Sequence, residues 1–333
     1  MRSAAAEGNA FDSPSVAQFL ISDQLARRTN SSYLHFWADD FLPSSYDSQL
    51  RDEYPTELML NRLKNRLSVN LNFHDGSVEV KTFLEGSPAW RRYHEVFTSR
   101  EWLAETIRTF RGEFVRRYPL VLRPLLAVRV LKPSNLEVTV ALSFSRKGFL
   151  LAPHSDDKFK LLTLIHYLPV QTGAELSGGT GFFLPRQGCS LRNVRQFSEW
   201  SRGLRRYLPF YRLAPAIDSS LTRRYEEGEA PNPAERARFE ALFERGDYVE
   251  YRTNRISGFV KNNWTFHEVD LSDFPEGEFR RAALVNIRLR PTRWADLIPT
   301  LERVLSRVKQ SFRRSRRVRG RDGSLPITNA YRG

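Results

Sequence analysis

The chain is predicted to be mainly β with flanking helices, an α+β arrangement built around a jelly-roll type sandwich or barrel. Three observations lead there. Many short runs of β-forming residues follow one another between Leu126 and Leu289, separated by turn residues such as Pro133-Ser134-Asn135 and Lys147-Gly148. Lys160 to Leu168 is nearly all apolar and ends at Pro169, the pattern of a buried strand. An apolar share of 41% and an aromatic share of 12% supply a packed core and exclude disorder.

In chain order, residues 1–30 have mixed polarity with one weakly helical stretch, Pro14 to Arg28. Tyr33 to Trp37 reads as a strand, and Asp39 to Ser45 as a turn feeding a helix capped by Ser44 or Ser45. Val69 to Phe73 alternates, meets Asp75-Gly76 and continues as Val78 to Phe83, the pattern of a β-hairpin. Helices are predicted over Pro88 to Phe97 and from a Thr98 or Ser99 cap to Tyr118. In the second, Trp102, Ile107, Phe110 and Phe114 form an apolar stripe that marks a core face. Strands follow at Ala127 to Leu131, Glu137 to Ser145, Phe149 to Ala152, Lys160 to Leu168 and Thr180 to Leu184. Ile256 to Val260, Thr265 to Val269 and Arg281 to Leu289 come after a long interruption, 186–252, with a helix at Pro233 to Arg245. A segment of that length between strands suits a lid or substrate loop. The expected layout is a support region over 1–125, a catalytic core over 126–290 and a basic C-terminal helix and tail over 291–333.

Charge and cysteine narrow the setting. Of the formal net charge of +14, nine units come from Arg303 to Arg321, which holds no acid, so the rest of the chain carries only +5. That tail is either a solvated helix or a steering surface for a polyanion, nucleic acid or an acidic carrier protein. A single cysteine, Cys189, rules out an intrachain disulfide framework and fits a reducing compartment. No apolar stretch is long enough to span a bilayer, and the start has no signal-peptide core, so the expected location is cytoplasmic.

The chemistry-bearing residues lie in Leu150 to Asp157 and in Asn262 to His267. His154 and Asp156 are two apart at a strand end, so both side chains can reach one metal. With His267 from a second strand they make two imidazoles and one carboxylate, a set that leaves open positions and suits non-haem Fe(II). Each residue also has a plainer reading. His154 fits a strand-end surface histidine, Asp156 and Asp157 a turn, and His267 a core histidine bonded to a carbonyl. His166, within a buried run, is expected to be core.

These stretches resemble the Fe(II)/2-oxoglutarate-dependent oxygenases, in particular the prolyl-hydroxylase-like branch. The resemblance rests on Phe149 to Asp157, Lys160 to Pro169, Gly178 to Phe183, Phe259 to Val269 and Arg281 to Leu284, with a weaker echo in Ala38 to Pro43. It implies a double-stranded β-helix with helices packed outside, and iron held by His154, Asp156 and His267. It implies that Arg281 pairs with the distal carboxylate of 2-oxoglutarate, guanidinium and carboxylate being bidentate partners. The spacing from His267 is long for that role, which keeps Arg280 as the alternative. Ala283 stands where the family pattern places a hydroxyl. Ser145 occupies the position of a co-substrate-contacting tyrosine, and Lys160 lies on a strand where some members carry a carboxylate-binding lysine.

The reaction implied is decarboxylation of 2-oxoglutarate to succinate coupled to hydroxylation, with ascorbate as a reductant; the carboxylate of Asp156 disfavours halogenation. A small-molecule substrate from a biosynthetic pathway is the first expectation. A carrier-bound, protein or polyanionic substrate recruited by the tail and by Arg202, Arg205, Arg206, Arg223 and Arg224 is the second. Nucleic acid ranks below these, because the Arg-x-Asn-x-x-x-Arg pattern of nucleic-acid demethylases is not reproduced over Arg281 to Arg288. A non-catalytic cupin-like binding module is the third.

Overall fold

The computed structural model of the protein describes residues 15–20, 27–30, 33–116, 131–156, 159–170, 176–190, 224–225, 233–262 and 264–290. The chain divides into one unit over Met1–Leu289 and a second over Arg290–Gly333. The basic tail, residues 127–130 of the strand expected at Ala127 to Leu131, Asp157 and most of the 186–252 interruption lie outside the described residues.

Twelve strands are described: β1 (Arg27–Asn30), β2 (Leu34–Ala38), β3 (Ser68–Asn72), β4 (Leu136–Arg146), β5 (Leu150–His154), β6 (Lys160–Tyr167), β7 (Leu176–Pro185), β8 (Arg224–Tyr225), β9 (Phe243–Tyr251), β10 (Ile256–Val260), β11 (Phe266–Asp270) and β12 (Phe279–Leu289). They form a seven-stranded sheet, β1-β2-β10-β6-β12-β4-β3, and a five-stranded sheet, β8-β5-β11-β7-β9, antiparallel throughout. From β4 to β7 the chain enters the two sheets in turn, and from β9 to β12 it does so again. That alternation is the winding of a double-stranded β-helix. Among the described residues no strand pair joins the two sheets.

Strand periodicity assigns the faces of the large sheet. Inner positions include Tyr33, Ile165, Tyr167, Phe259 and Ala282, which share a buried cluster with Phe182, Val249, Tyr251 and Val269 of the small sheet. Outer positions include Phe36, Leu142, Phe144, Leu164 and Val285, all buried. Helices α1 (Ser44–Asp52), α2 (Thr56–Leu63), α3 (Val78–Gly86), α4 (Pro88–Thr98) and α5 (Arg100–Arg116) come from the same first third of the chain. Among them, α4 contacts β4 and α5 contacts β10. The stripe expected in α5 is buried at Trp102, Ile107, Phe110 and Phe114, and Ser99 accepts from the Trp102 amide at 3.1 Å as its cap. Phe110 stacks on Phe36 of β2, with ring centroids 5.5 Å apart. Beneath that ring lies Gly258, level with Phe36 and Leu164 in the sheet, where a Cβ would strike both side chains. Among the described residues no helix is long and apolar enough to cross a membrane.

Four expectations are corrected. The segment after Asp75-Gly76 is the helix α3, not the second arm of a hairpin. Gly76 takes the left-handed conformation (φ +62°) and Ser77 caps the helix through the Val80 amide. Val80 is 1% exposed and Val78 79%, a split that a strand, with i and i+2 on one face, would not produce. The helix expected over Pro233 to Arg245 is the shorter α6 (Pro233–Glu240), after which the chain turns into β9. The interruption therefore contains two strands of the small sheet, β8 and β9. Of the helical stretch expected over Pro14 to Arg28, the described residues form a 3-10 turn at Val16–Phe19 and enter strand β1 at Arg27, and residues 21–26 lie outside the described residues. The N-cap position of α1 is Pro43, without a side-chain cap, rather than Ser44 or Ser45.

Candidate metal centre and its cavity

His154 closes β5 and sits directly opposite His267 of β11. Opposed residues of an antiparallel pair share a face at close range, and here the imidazole centroids are 4.2 Å apart. Asp156 lies two residues past the end of β5 rather than on it, yet its Oδ1 reaches within 3.8 Å of His154 Nε2. One potential ligand atom from each of the three residues lies within 4.8 Å of the other two, so His154, Asp156 and His267 could hold a metal ion. All three are buried.

The surroundings prepare each group differently. His154 Nδ1 donates to the Ala152 carbonyl at 3.0 Å, which leaves Nε2 as the bare nitrogen facing Asp156. Burial lowers its pKa below the ordinary histidine value, against the pull of Asp156. Burial and then the neighbouring His154 push His267 well below that value, so both rings favour the neutral form that binds metal. His267 Nδ1 is a buried nitrogen with no hydrogen-bond partner among the described residues, an arrangement that fits a ligand set better than a satisfied core histidine.

Burial would raise the Asp156 pKa, but the charge of Lys160 and its hydrogen bond to the carboxylate work against it and hold the carboxyl well below the usual range. Lys160 Nζ donates to Oδ1 at 3.1 Å and Thr163 Oγ1 to Oδ2 at 2.9 Å. The Thr163 hydroxyl has one proton and the carboxylate takes it. The Asn286 amide, whose Oδ1 is placed 3.0 Å from the same hydroxyl, is satisfied only with its NH2 turned inward. Lys261, buried at the end of β10, donates to Ser155 Oγ between the two ligand residues.

The triad opens into a cavity of about 340 Å³, a volume in the range of small-molecule sites. One side is polar, with Ser68, Asn70, Ser143 and Asn286; Phe149, Leu151, Ile165, Val269 and Leu284 make the rest largely apolar. Lys160 and Arg280 both line it. Arg280 is 3% exposed. Its Nε donates to the Gly178 carbonyl at 2.5 Å, and its guanidinium carbon lies 5.5 Å from the Tyr167 ring centre and 5.8 Å from that of Tyr251.

The cofactor-binding residues expected from sequence therefore separate. Arg281 does not line the cavity; it pairs with Phe144 on the outer face of β12, with its guanidinium 5.3 Å from the Tyr54 ring centre. Arg280 pairs with Ser145 on the inner face. Ser145 is fully buried, shares a 2.8 Å hydrogen bond with Ser68 Oγ, and does not line the cavity. Sequence reasoning did not single out Thr163, Asn286 or Lys261. Thr163 and Asn286 face each other across β6 and β12, a pairing legible only once the register is known. His166 is buried beside Asp47 at 3.2 Å, on the helix side of the large sheet, as a core residue.

Neither a protein-family model nor a curated protein sequence matches the chain. Among solved structures it is similar to a Pseudomonas putida prolyl-4-hydroxylase, with 13% identity over 83% of this chain and 100% of that one and a TM-score of 0.37. It is also similar to a Trichoplax adhaerens prolyl hydroxylase in complex with a hypoxia inducible factor peptide fragment (11% identity, 82% and 89% of the chains, TM-score 0.39). A third is SnoK, a non-heme alpha ketoglutarate dependent carbocyclase from nogalamycin biosynthesis (14% identity, 77% and 82%, TM-score 0.36). Each is a likeness of fold at low identity.

Proposed function

We propose that the chain is an Fe(II)- and 2-oxoglutarate-dependent oxygenase that hydroxylates a small molecule, with His154, Asp156 and His267 as the iron ligands and Arg280 as the anchor of the co-substrate. The observation that carries this reading is the convergence of two imidazoles and one carboxylate on the wall of a cavity that also holds a buried arginine. Two histidines and a carboxylate with open positions suit non-haem Fe(II) better than a closed structural zinc.

Iron bound there supplies the activation of dioxygen that is coupled to decarboxylation of 2-oxoglutarate. The chain's own residues do the rest. The Ala152 carbonyl fixes the His154 tautomer, and Lys160 with Thr163 keeps Asp156 ionised and oriented. Arg280 offers its remaining N–H groups to the distal carboxylate, a charge-assisted pair in a place shielded from water. Phe149, Leu151, Val269 and Leu284 exclude water and present an apolar surface to the carbon skeleton of the substrate. The cavity's size favours a small molecule as substrate.

The test is succinate release from 2-oxoglutarate by protein supplied with Fe(II) and ascorbate. We expect turnover that requires iron and disappears in His154→Ala. Protein that takes up no iron anaerobically and releases no succinate would support a binding module instead.

A further inference from the structure

The peptide that joins Gly178 to Gly179 is gripped from both sides. Its carbonyl accepts Arg280 Nε at 2.5 Å, and its N–H donates to the Tyr248 hydroxyl at 2.8 Å. The Gly178 N–H donates to the same hydroxyl at 3.1 Å. A peptide is planar and its hydrogen bonds polarise one another, so a move at one end is felt at the other. The two glycines are what allow this grip. Gly178 has φ +113°, and a Cβ there would lie 2.9 Å from the Phe274 ring; a Cβ on Gly179 would run into the Val249 carbonyl.

Tyr248 and Arg280 stand on opposite sides of that peptide. Tyr248 is 53% exposed on β9 and does not line the cavity of the triad. It lines a separate cleft of about 260 Å³ with Arg245, Asp247 and Glu268. Arg280 is buried, with Nε committed to the peptide carbonyl and its plane held by Tyr167 and Tyr251. Those two rings are themselves fixed, Tyr167 through the Thr180 hydroxyl at 2.7 Å and Tyr251 by accepting the Arg281 amide at 2.8 Å. The direction of the arginine's free N–H edge is therefore set by where the 178–179 peptide sits.

We propose that Tyr248 is a positioning residue for Arg280, setting the affinity for the distal carboxylate of 2-oxoglutarate from outside the cavity. This rests on the reading of Arg280 as the co-substrate anchor. It sharpens that reading, since it makes the strength of the carboxylate pair depend on one hydroxyl that touches neither substrate nor metal.

The experiment is calorimetric titration of 2-oxoglutarate, and separately of pyruvate, into the Fe(II)-loaded full chain without oxygen. Pyruvate keeps the 2-oxo acid group and lacks the distal carboxylate. Tyr248→Phe retains the half-exposed ring and removes the hydroxyl. We expect 2-oxoglutarate to bind about five- to tenfold more weakly to it, the size of one hydrogen bond, with pyruvate affinity unchanged. In turnover the loss is expected in KM for 2-oxoglutarate, with kcat preserved at saturation. Unchanged 2-oxoglutarate affinity, or equal weakening of both acids, would overturn the proposal. Arg280→Ala separates the two claims. If it weakens 2-oxoglutarate binding while Tyr248→Phe does not, only the positioning role fails. If Arg280→Ala has no effect, the anchor and the positioning role fail together.

Discussion

Arg280 and Arg281 are consecutive in the chain and lie on opposite faces of β12, Arg280 in the triad's cavity and Arg281 over Tyr54 among the helices. The two alanine variants should therefore diverge. Arg280→Ala is expected to weaken 2-oxoglutarate binding by about a hundredfold, as loss of a desolvated charge partner does. Arg281→Ala should leave that affinity alone and lower stability by about 1 kcal/mol through the lost stacking on Tyr54. Titration of both variants, with urea unfolding of Arg281→Ala, checks the pair; the reverse assignment would return the anchor to Arg281.

Thr163→Val keeps the shape of a residue 5% exposed and removes the hydroxyl that donates to Asp156. The carboxylate then loses a partner that orients it toward the histidines. Metal affinity should fall about tenfold or more, within the range seen for groups behind a metal ligand. Competition with a chelator of known affinity measures it, and an unchanged constant would remove Thr163 from the site.

His154, His267 and His35 all have pKa values depressed first of all by burial. A depressed histidine is neutral in the folded chain while its unfolded counterpart, with a pKa near 6.5, takes up a proton. Their contribution is thus complete above about pH 6.5 and is lost as pH falls through the folded values. The urea midpoint of the metal-free protein should drop between about pH 7 and 5. A rise over that interval would contradict the burial of the three rings.

Gly258→Ala is expected to cost about 1–3 kcal/mol, the usual penalty for overpacking, because the new methyl meets Phe36 and Leu164 in one cross-strand row. Thermal unfolding reads this directly, and an unshifted midpoint would mean that the row yields.

The legibility of the sequence varied with the length scale of the signal. Strands such as Lys160–Tyr167 and Ile256–Val260 are buried on both faces and show as apolar runs, and the histidine pair falls at strand positions that local pattern reveals. Strand β9 escapes local pattern because Phe243 to Tyr251 carries Glu244, Arg245 and Asp247, as befits an edge strand, and its first three residues continue the helical pattern of Pro233 to Arg245. Val78 to Phe83 misled in the opposite sense, since alternating valines look like a strand until one proves exposed. The choice between the two arginines turned on which face of β12 looks inward. That is a property of its register with β4 and β6, which no local window contains.

Glu268, next to His267 in β11, is 5% exposed on the reverse face and holds Arg236 of α6 and Arg245 of β9, each at 3.1 Å. Were β11 to slip by one residue during folding, the glutamate would turn inward toward the triad and His267 outward toward two arginines. The inward glutamate would be a buried carboxylate without its arginine partners, at a cost of several kcal/mol. The ion pairs outside the site thus act as a proofreading device: they make a misregistered assembly, one lacking its second histidine, the less stable product of folding.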